Sequence, residues 1–184
     1  MGDINEIKWH IFHALDDLLK KTSLDKVTTT QLCEASHISR QTFYRHFQDK
    51  YWVLNWYFDI MYKDTLMQIG RKLSWEQALY QIFSDMYSNN KTIHIHSHSN
   101  DYNSIRNYAY RISSKLYIET LINYKKISPS NTLLFQADTA AFLCTTLIDK
   151  WQQNGMKETP REFAALLVSV LPQELKYTLE KGIS

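Results

Sequence analysis

The sequence predicts an all-α protein with an N-terminal three-helix head and a larger C-terminal helical body. Hydrophobic residues make up 44% of its 184 residues, which is enough for a sizeable core. The chain has only 4 glycines and 3 prolines, too few for a turn-rich β architecture. Apolar residues recur at helical spacing along most of the chain. These features favour an all-α fold, and the motif described below divides it into a head at residues 1–48 and a body at residues 49–184.

The composition limits the classes of function. The net charge is only +2, so any affinity for DNA must come from the local placement of Arg and Lys. Cys33 and Cys144 lie in apolar helical patterns and are expected to be small buried side chains in a reducing cytosol. The acidic, amphipathic start does not resemble a signal peptide, and no apolar run approaches the roughly 20 residues of a membrane span. These features predict a cytoplasmic protein without a membrane partner.

The sequence lacks the motifs that mark common enzymes. It has no G-x-S-x-G, no P-loop and no G-x-G-x-x-G. With 4 glycines it has little material for a loop that cradles phosphate. We therefore predict that the protein is not an enzyme and requires no cofactor.

The head is predicted to contain three helices, of which the last two form a helix-turn-helix. The first helix covers residues 4–21, where apolar residues recur at helical spacing. Thr28 and Gln31 have the spacing of a capping box, which starts the second helix. Residues 37–38 make the turn, and Ser39 can cap the third helix. Two short helices joined by such a turn are typical of DNA-binding proteins.

The third helix carries the side chains expected to contact DNA. Phe43 and Phe47 are four residues apart, so both face the core. The rest of the helix is polar, can form hydrogen bonds and has no acidic residue: Arg40, Gln41, Thr42, Tyr44, Arg45 and His46. Arg and Gln can bond to base edges in pairs, while Tyr, Thr and His reach phosphates. This surface suits the major groove.

The segment Thr28–Lys50 resembles the DNA-binding domain of the TetR family of bacterial transcription regulators. The matching pattern is T-T-x-x-L-C-E-A-S-H-I-S-R-Q-T-F-Y-R-H-F-x-x-K, and its most specific marks are the Phe43-Tyr44 pair, Phe47 and Lys50. The family usually has Gly where His37 stands. That position often needs a left-handed backbone, which Gly adopts more freely than His.

The resemblance implies a homodimer that binds a palindromic operator in double-stranded DNA and responds to a small-molecule effector in the body. It also implies which residues contact DNA. Those assigned to phosphates at the start of the second helix are Thr28 and Thr29, and those facing bases are Arg40, Gln41 and Thr42. Those assigned to phosphates or neighbouring bases are Tyr44, Arg45, His46 and Lys50.

The fourth helix is predicted at residues 50–69, capped by Asp49, and it is rich in aromatic residues. Trp52 and Trp56 are expected to be core residues under the head. Further along, helix four and the body offer candidates for the wall of an effector cavity: Tyr57, Met61, Tyr62, Met86, Tyr108 and Ile112. For the aromatic residues of this helix, a purely structural role is the alternative.

Two helices near the C-terminus are apolar on more than one side. They are predicted at residues 131–153 and 160–171, and a body of this size cannot easily cover both. The resemblance implies a four-helix contact between two copies, for which the candidate residues are Ala140, Cys144, Leu147, Trp151, Ala164, Val168 and Leu171. The patterns W-Q-Q-N-G and F-A-A-L-L-V-S-V-L-P resemble the body of regulators of the dihydroxyacetone-kinase type.

Three alternate histidines, His94, His96 and His98, are the one metal-like signal in the sequence. Neutral imidazole is a good zinc ligand. Alternate histidines without a cysteine or a second fixed pair are weakly specific, so we favour a polar loop or helix end over a zinc site.

A second function is open at this point. The chain could be a ligand-binding or partner-binding module that keeps a vestigial head and acts through another protein. The intact set of Arg40, Gln41, Tyr44 and Lys50 argues for DNA binding instead.

Overall fold

A computed structural model describes residues 4–88 and 98–183 of the chain. Within these two ranges the chain is helical and has no β-strand, which confirms the all-α class. The helices are α1 (Ile4–Leu19), α2 (Thr29–Ala35), α3 (Arg40–His46), α4 (Lys50–Tyr62), α5 (Trp75–Ser88), α6 (Ile105–Glu119), α7 (Asn131–Gln153), α8 (Pro160–Ser169) and α9 (Gln173–Glu180). Short 3-10 turns lie at Leu24–Lys26 and Leu66–Gln68, and a π turn lies at Thr120–Tyr124.

The head consists of α1, α2 and α3 around an apolar core. Its buried members include Ile11, Phe12, Leu15, Leu19, Leu24, Val27, Leu32, Cys33, Phe43 and Phe47. Helices α2 and α3 have only 7 residues each. Isolated helices below about 12–15 residues are marginal in water, so packing on this core stabilises them. Each fully buried large apolar side chain contributes about 1.5–3 kcal/mol to that packing.

Helix α4 joins the head to the body because its residues belong to both cores. Val53 and Tyr57 pack in the head, while Phe58 and Tyr62 pack in the body. The helix is shorter than predicted, since Thr65 leaves the helical region with φ −122° and ψ −85°. The two cores are thus connected through one continuous helix.

The two tryptophans of α4 behave differently, which corrects one prediction. Trp56 is half-buried and packs against Trp9 and Phe47, with ring centroids 5.0 and 5.9 Å away. Trp52 is 42% exposed, so the prediction that it is a core residue is wrong. The inward face at this point is taken by Val53 and its neighbours, one residue around the helix.

The body contains α5 to α9. Helix α6 packs mainly against α7, and α5 packs mainly against α8. Trp151 of α7 stacks on Phe163 of α8 with ring centroids 4.5 Å apart. The predicted last helix is divided at Pro172, with α8 before it and α9 after it. None of the helices in the described ranges is long and apolar enough to cross a membrane.

Candidate DNA-binding surface and body cavity

The start of α2 is fixed by the predicted capping box. The Thr28 hydroxyl accepts from the Gln31 amide at 3.2 Å, and the Gln31 side-chain oxygen accepts from the Thr28 amide at 2.9 Å. Thr28 is exposed and Thr29 is half-buried. Both therefore lie at a helix N-terminus, where backbone N–H groups and the helix dipole favour anions such as phosphate.

The turn between α2 and α3 has the left-handed residue that the sequence indicates. His37 has φ 50°. The buried Ser36 before it donates its hydroxyl to the Leu32 carbonyl at 2.6 Å, and its own carbonyl lies 2.8 Å from Nε2 of His10 in α1. The amide of Ile38 donates to the Cys33 carbonyl at 3.1 Å. The turn is thus bonded on both sides of the strained residue.

Helix α3 presents a polar surface on two aromatic anchors. Ser39 caps the helix, since its hydroxyl accepts from the Thr42 amide at 3.0 Å. Phe43 and Phe47 are buried in the head core. The remaining side chains are exposed or half-buried: Arg40, Gln41, Thr42, Tyr44, Arg45 and His46. The guanidinium of Arg40 donates to the hydroxyl of Thr30, which links the two helices of the motif.

Lys50 lies in a different environment from the one that the resemblance implies. Its ammonium donates to the carbonyl oxygens of Leu24, Asp25 and Val27, at 2.7, 3.0 and 2.7 Å. An ammonium has three N–H donors, so all of them have a partner. Burial lowers the pKa of Lys50. In this conformation Lys50 connects the start of α4 to the 24–27 turn by hydrogen bonds. Its ammonium can reach a phosphate only if these bonds break.

The body contains a cavity of about 70 Å³ between α4, α5, α6 and α7. Its mostly apolar wall is formed by Phe58, Tyr62, Leu66, Leu79, Ile82, Met86, Ile105, Ala109, Tyr117, Cys144 and Ile148. The polar residues of the wall are His98, Ser99, Arg106, Ser113, Thr145, Asp149 and Gln152. Burial raises the pKa of the Cys144 thiol to about 12, so this sulfur is an uncharged part of the wall.

Two of the six residues proposed for an effector site line this cavity, namely Tyr62 and Met86. The other four lie elsewhere. Tyr57 is buried in the head core, and Met61 is half-buried between the two cores. Tyr108 donates its hydroxyl to the Asp59 carboxylate at 2.8 and 2.7 Å, and Ile112 packs on the body core without reaching the cavity.

The wall of the cavity includes a buried carboxylate that the sequence did not predict. Asp149 of α7 is buried, and one of its oxygens accepts from His98 Nδ1 at 2.9 Å. Its other oxygen accepts from Gln153 at 2.8 Å and from Arg106 at 3.4 Å. Arg106 and Asp149 are 43 residues apart, so no spacing in the sequence relates them. Asp149 is one of two acidic residues of α7, the other being Asp138, so its position in the helix does not single it out.

Of the histidines considered as zinc ligands, His98 lies in this cluster, and His94 and His96 lie outside the described residues. In residues 4–88 and 98–183 there is no group of three or more His, Cys, Asp or Glu placed to hold a metal. The His98 ring is engaged with Asp149 instead.

The candidates for the dimer interface are core residues of a single chain. Buried there are Ala140, Cys144, Trp151, Ala164, Val168 and Leu171, and Leu147 is half-buried against the same core. The helical pattern revealed two apolar sides but could not say which side faces inward. The outward sides of α7, of α8 and of the residue after α8 carry Phe135, Phe142, Leu166 and Val170, all more than half exposed. We call these four residues the outer apolar patch.

Residues 98–104 contact both the cavity and the first half of α4. His98 and Ser99 line the cavity. The Asn103 carbonyl accepts from the Asn55 side chain at 3.2 Å, and the Asn103 amide group donates to Asp49 at 3.4 Å. Asp49 also caps α4, accepting from the amides of the first helical residues. One short segment therefore connects the cavity to the helix that follows α3.

Comparisons with known proteins agree with this arrangement. The family model described as "Bacterial regulatory proteins, tetR family" matches residues 11–55, and a TetR-type model described as "Transcriptional regulator C-terminal region" matches residues 74–173. No curated protein sequence matches the chain.

Among solved structures, the dihydroxyacetone kinase operon activator DhaS is similar, with a TM-score of 0.60 and 16% identity over 92% of this chain and 96% of that chain. A TetR transcriptional regulator from Streptococcus agalactiae 2603V has a TM-score of 0.60 and 18% identity over 91% of this chain and 94% of that chain. At such identities these likenesses show a shared fold.

Proposed function

This chain belongs to the TetR family of DNA-binding transcriptional regulators, and we propose that it acts as a homodimer on a palindromic operator under the control of a small-molecule effector. The observation that carries the proposal is the surface of α3. It is polar, free of acidic side chains and held by Phe43 and Phe47. Such a helix can enter the major groove without meeting electrostatic repulsion from phosphates.

The proposed contacts divide into two kinds. Arg40 and Gln41 are exposed at the start of α3 and can bond to base edges. Tyr44 and Arg45 on α3, and Thr28 at the start of α2, are exposed and suited to phosphates. The remaining candidates, Thr29, Thr42 and His46, lie half-buried beside them. Lys50 acts indirectly in this proposal, because it holds the 24–27 turn under the motif.

The outer apolar patch supports the homodimer. Phe135 and Phe142 are 72% and 60% exposed on α7, and Leu166 on α8 and Val170 just after it are 58% and 52% exposed. Large apolar side chains exposed on two helices of the body are candidates for an interaction site. A two-fold axis through the patch would bring α7 and α8 of each copy together as four helices, with each patch meeting itself.

The 98–104 segment supports control by an effector. A ligand that moved His98 or Ser99 would shift Asn103, which is bonded to Asn55 and Asp49 of the α4 region. Tyr108 and Asp59 form a second bond between α6 and α4. Because α4 carries part of the head core, a change at the cavity would alter the orientation of α3.

Fluorescence anisotropy with DNA from upstream of the chain's own gene tests the proposal. We expect the full chain to bind a palindromic duplex much more tightly than a single half-site or a scrambled duplex. Binding to all three duplexes with equal affinity would contradict sequence recognition. A chain that binds no DNA but forms a stable complex with another protein would favour the vestigial-head alternative.

A further inference from the structure

The cavity wall combines many apolar side chains with one polar cluster, which restricts what can fill it. Apolar side chains of α4 and α5, such as Phe58, Leu79 and Met86, form part of the wall. His98, Arg106 and Asp149 also line the cavity and form the polar cluster, in which Asp149 is bonded to the other two. Specific ligand sites are mostly apolar with a few placed polar groups that set orientation. The cavity thus fits a small molecule with an apolar body and one polar group.

The hydrogen bonds of the polar cluster indicate the sign of that group. Asp149 already accepts three bonds, from His98 at one oxygen and from Gln153 and Arg106 at the other. About one acceptor site is therefore left on this carboxylate for a ligand ammonium. Arg106 has five N–H donors, and within the described residues only the one to Asp149 has a partner. The N–H groups of Arg106 that have no partner can therefore bind a hydrogen-bond acceptor on the ligand.

Tyr62 adds a requirement from within the cavity. This residue lines the cavity, is only 2% exposed, and its hydroxyl has no hydrogen-bond partner within the described residues. Buried polar groups in folded proteins are almost always paired, so an unpaired hydroxyl in a cavity wall indicates a missing partner. A second oxygen atom on the ligand would supply it.

We propose that the cavity binds a short-chain carboxylate whose carboxyl group pairs with Arg106 and whose second oxygen bonds to the Tyr62 hydroxyl. A carboxylate can accept two parallel bonds from a guanidinium, which matches the unpaired N–H groups of Arg106. A phosphate dianion fits less well, because its second negative charge would increase the repulsion from the Asp149 carboxylate next to the site. This inference rests on the proposed ligand-responsive function and adds the chemical class of the ligand.

Isothermal titration calorimetry of the full chain tests the class with matched probes. Butanoate and hexanoate carry the carboxylate, whereas hexanol and hexylamine replace it by a neutral and a cationic group. We expect hexanoate or butanoate to bind, hexanol more weakly, and hexylamine not at all. The compound 5-oxohexanoate adds a ketone oxygen and should bind more tightly than hexanoate. Hexylamine binding as tightly as the carboxylates, or no carboxylate binding, would overturn the proposal.

Two variants assign the contacts. Arg106→Gln should weaken hexanoate about tenfold or more, the scale of a lost bond to a charged group. Arg111→Gln is the control, because that guanidinium is on the same helix but lies against the Tyr102 ring, outside the cavity. Tyr62→Phe should remove the advantage of 5-oxohexanoate over hexanoate. Unchanged hexanoate affinity in Arg106→Gln, with a normal circular dichroism spectrum, would refute the pairing.

The anisotropy assay separates this proposal from the proposed function. If hexanoate binds in an Arg106-dependent manner without changing DNA affinity, the proposed ligand class is supported and control of DNA binding by an effector is contradicted. If operator binding is specific but none of the carboxylates binds, the proposed DNA-binding function is supported and the proposed ligand class is contradicted.

Discussion

The head and the body differ in how completely each satisfies its own side chains. In the described part of the head before α4, no buried side-chain nitrogen or oxygen lacks a hydrogen-bond partner. From α4 onward several do, including Asn55, Tyr62 and Gln136. The body also leaves the outer apolar patch exposed. Among the described residues, the head thus pairs its own buried polar groups, whereas the body leaves some unpaired, including the Tyr62 hydroxyl in the cavity wall. This difference is why we propose that the body, and not the head, binds a ligand and a second copy.

The largest expected effect is in the head core. Phe43→Ala removes a fully buried ring, which typically costs about 3–5 kcal/mol. We expect DNA binding to be lost while the dimer, held by the body, keeps its mass in analytical ultracentrifugation. Urea unfolding followed by circular dichroism measures the loss, with Phe43→Leu as the milder control. Dissociation of the dimer by Phe43→Ala would show that head and body are not independent in this way.

The outer apolar patch gives the next effect. Leu166 is 58% exposed and its neighbour Leu167 is 1% exposed, so the pair separates interface from core. Leu166→Glu should place an unpaired charge against its copy, at a cost of several kcal/mol, and give folded monomers. Leu167→Glu should unfold the chain. Sedimentation for mass and circular dichroism for helix content distinguish the outcomes. A Leu166→Glu protein that remains a dimer would remove α8 from the interface.

A smaller effect is expected at Lys50. Lys50→Met removes three donors from the carbonyls of the 24–27 turn and should cost about 1–3 kcal/mol of stability. Lys63→Met, at an exposed position after α4, is the control. Because Lys50 is engaged within the head, the dependence of DNA affinity on salt should keep its slope. A slope lower by about one unit would show instead that Lys50 contacts a phosphate.

The smallest effect is expected at the turn. A left-handed residue other than Gly costs about 1–2 kcal/mol, and Gly loses about 0.5–1 kcal/mol through its flexible unfolded state. His37→Gly should therefore raise the free energy of unfolding by about 0–1.5 kcal/mol. His13→Gly, inside α1, should lower it instead. Thermal unfolding of the two variants compares them, and a destabilised His37→Gly would mean that the His side chain itself matters.

The head could be predicted because local rules determine it. Caps at Thr28 and Ser39, the left-handed turn and the aromatic anchors follow from residues a few positions apart. The hydrogen bonds of Lys50 could not be predicted, because its carbonyl partners lie 23 to 26 residues earlier in the chain. The exposure of Trp52 could not be predicted either, because composition does not show which side of an aromatic helix faces the core.

In the body, the helical periodicity of apolar residues does not determine which side of a helix faces the core. Helices α7 and α8 are apolar on two sides, and only packing reveals that Cys144, Trp151 and Val168 face inward while Phe135 and Leu166 face outward. The cavity depends on contacts between α6 and α7, such as that of Arg106 with Asp149. Such contacts join helices that are distant in sequence, so they cannot be predicted from the spacing of residues.

The central claim, that α3 reads bases, is tested most directly by Gln41→Ala on a panel of operators that vary one base pair at a time. We expect the variant to lose preference at one position in each half-site, at a cost of about 1–3 kcal/mol there, and to keep it elsewhere. Gln48→Ala, at an exposed position just after α3, should leave all preferences unchanged. A Gln41→Ala protein that ranks the panel like the parent would contradict the claim.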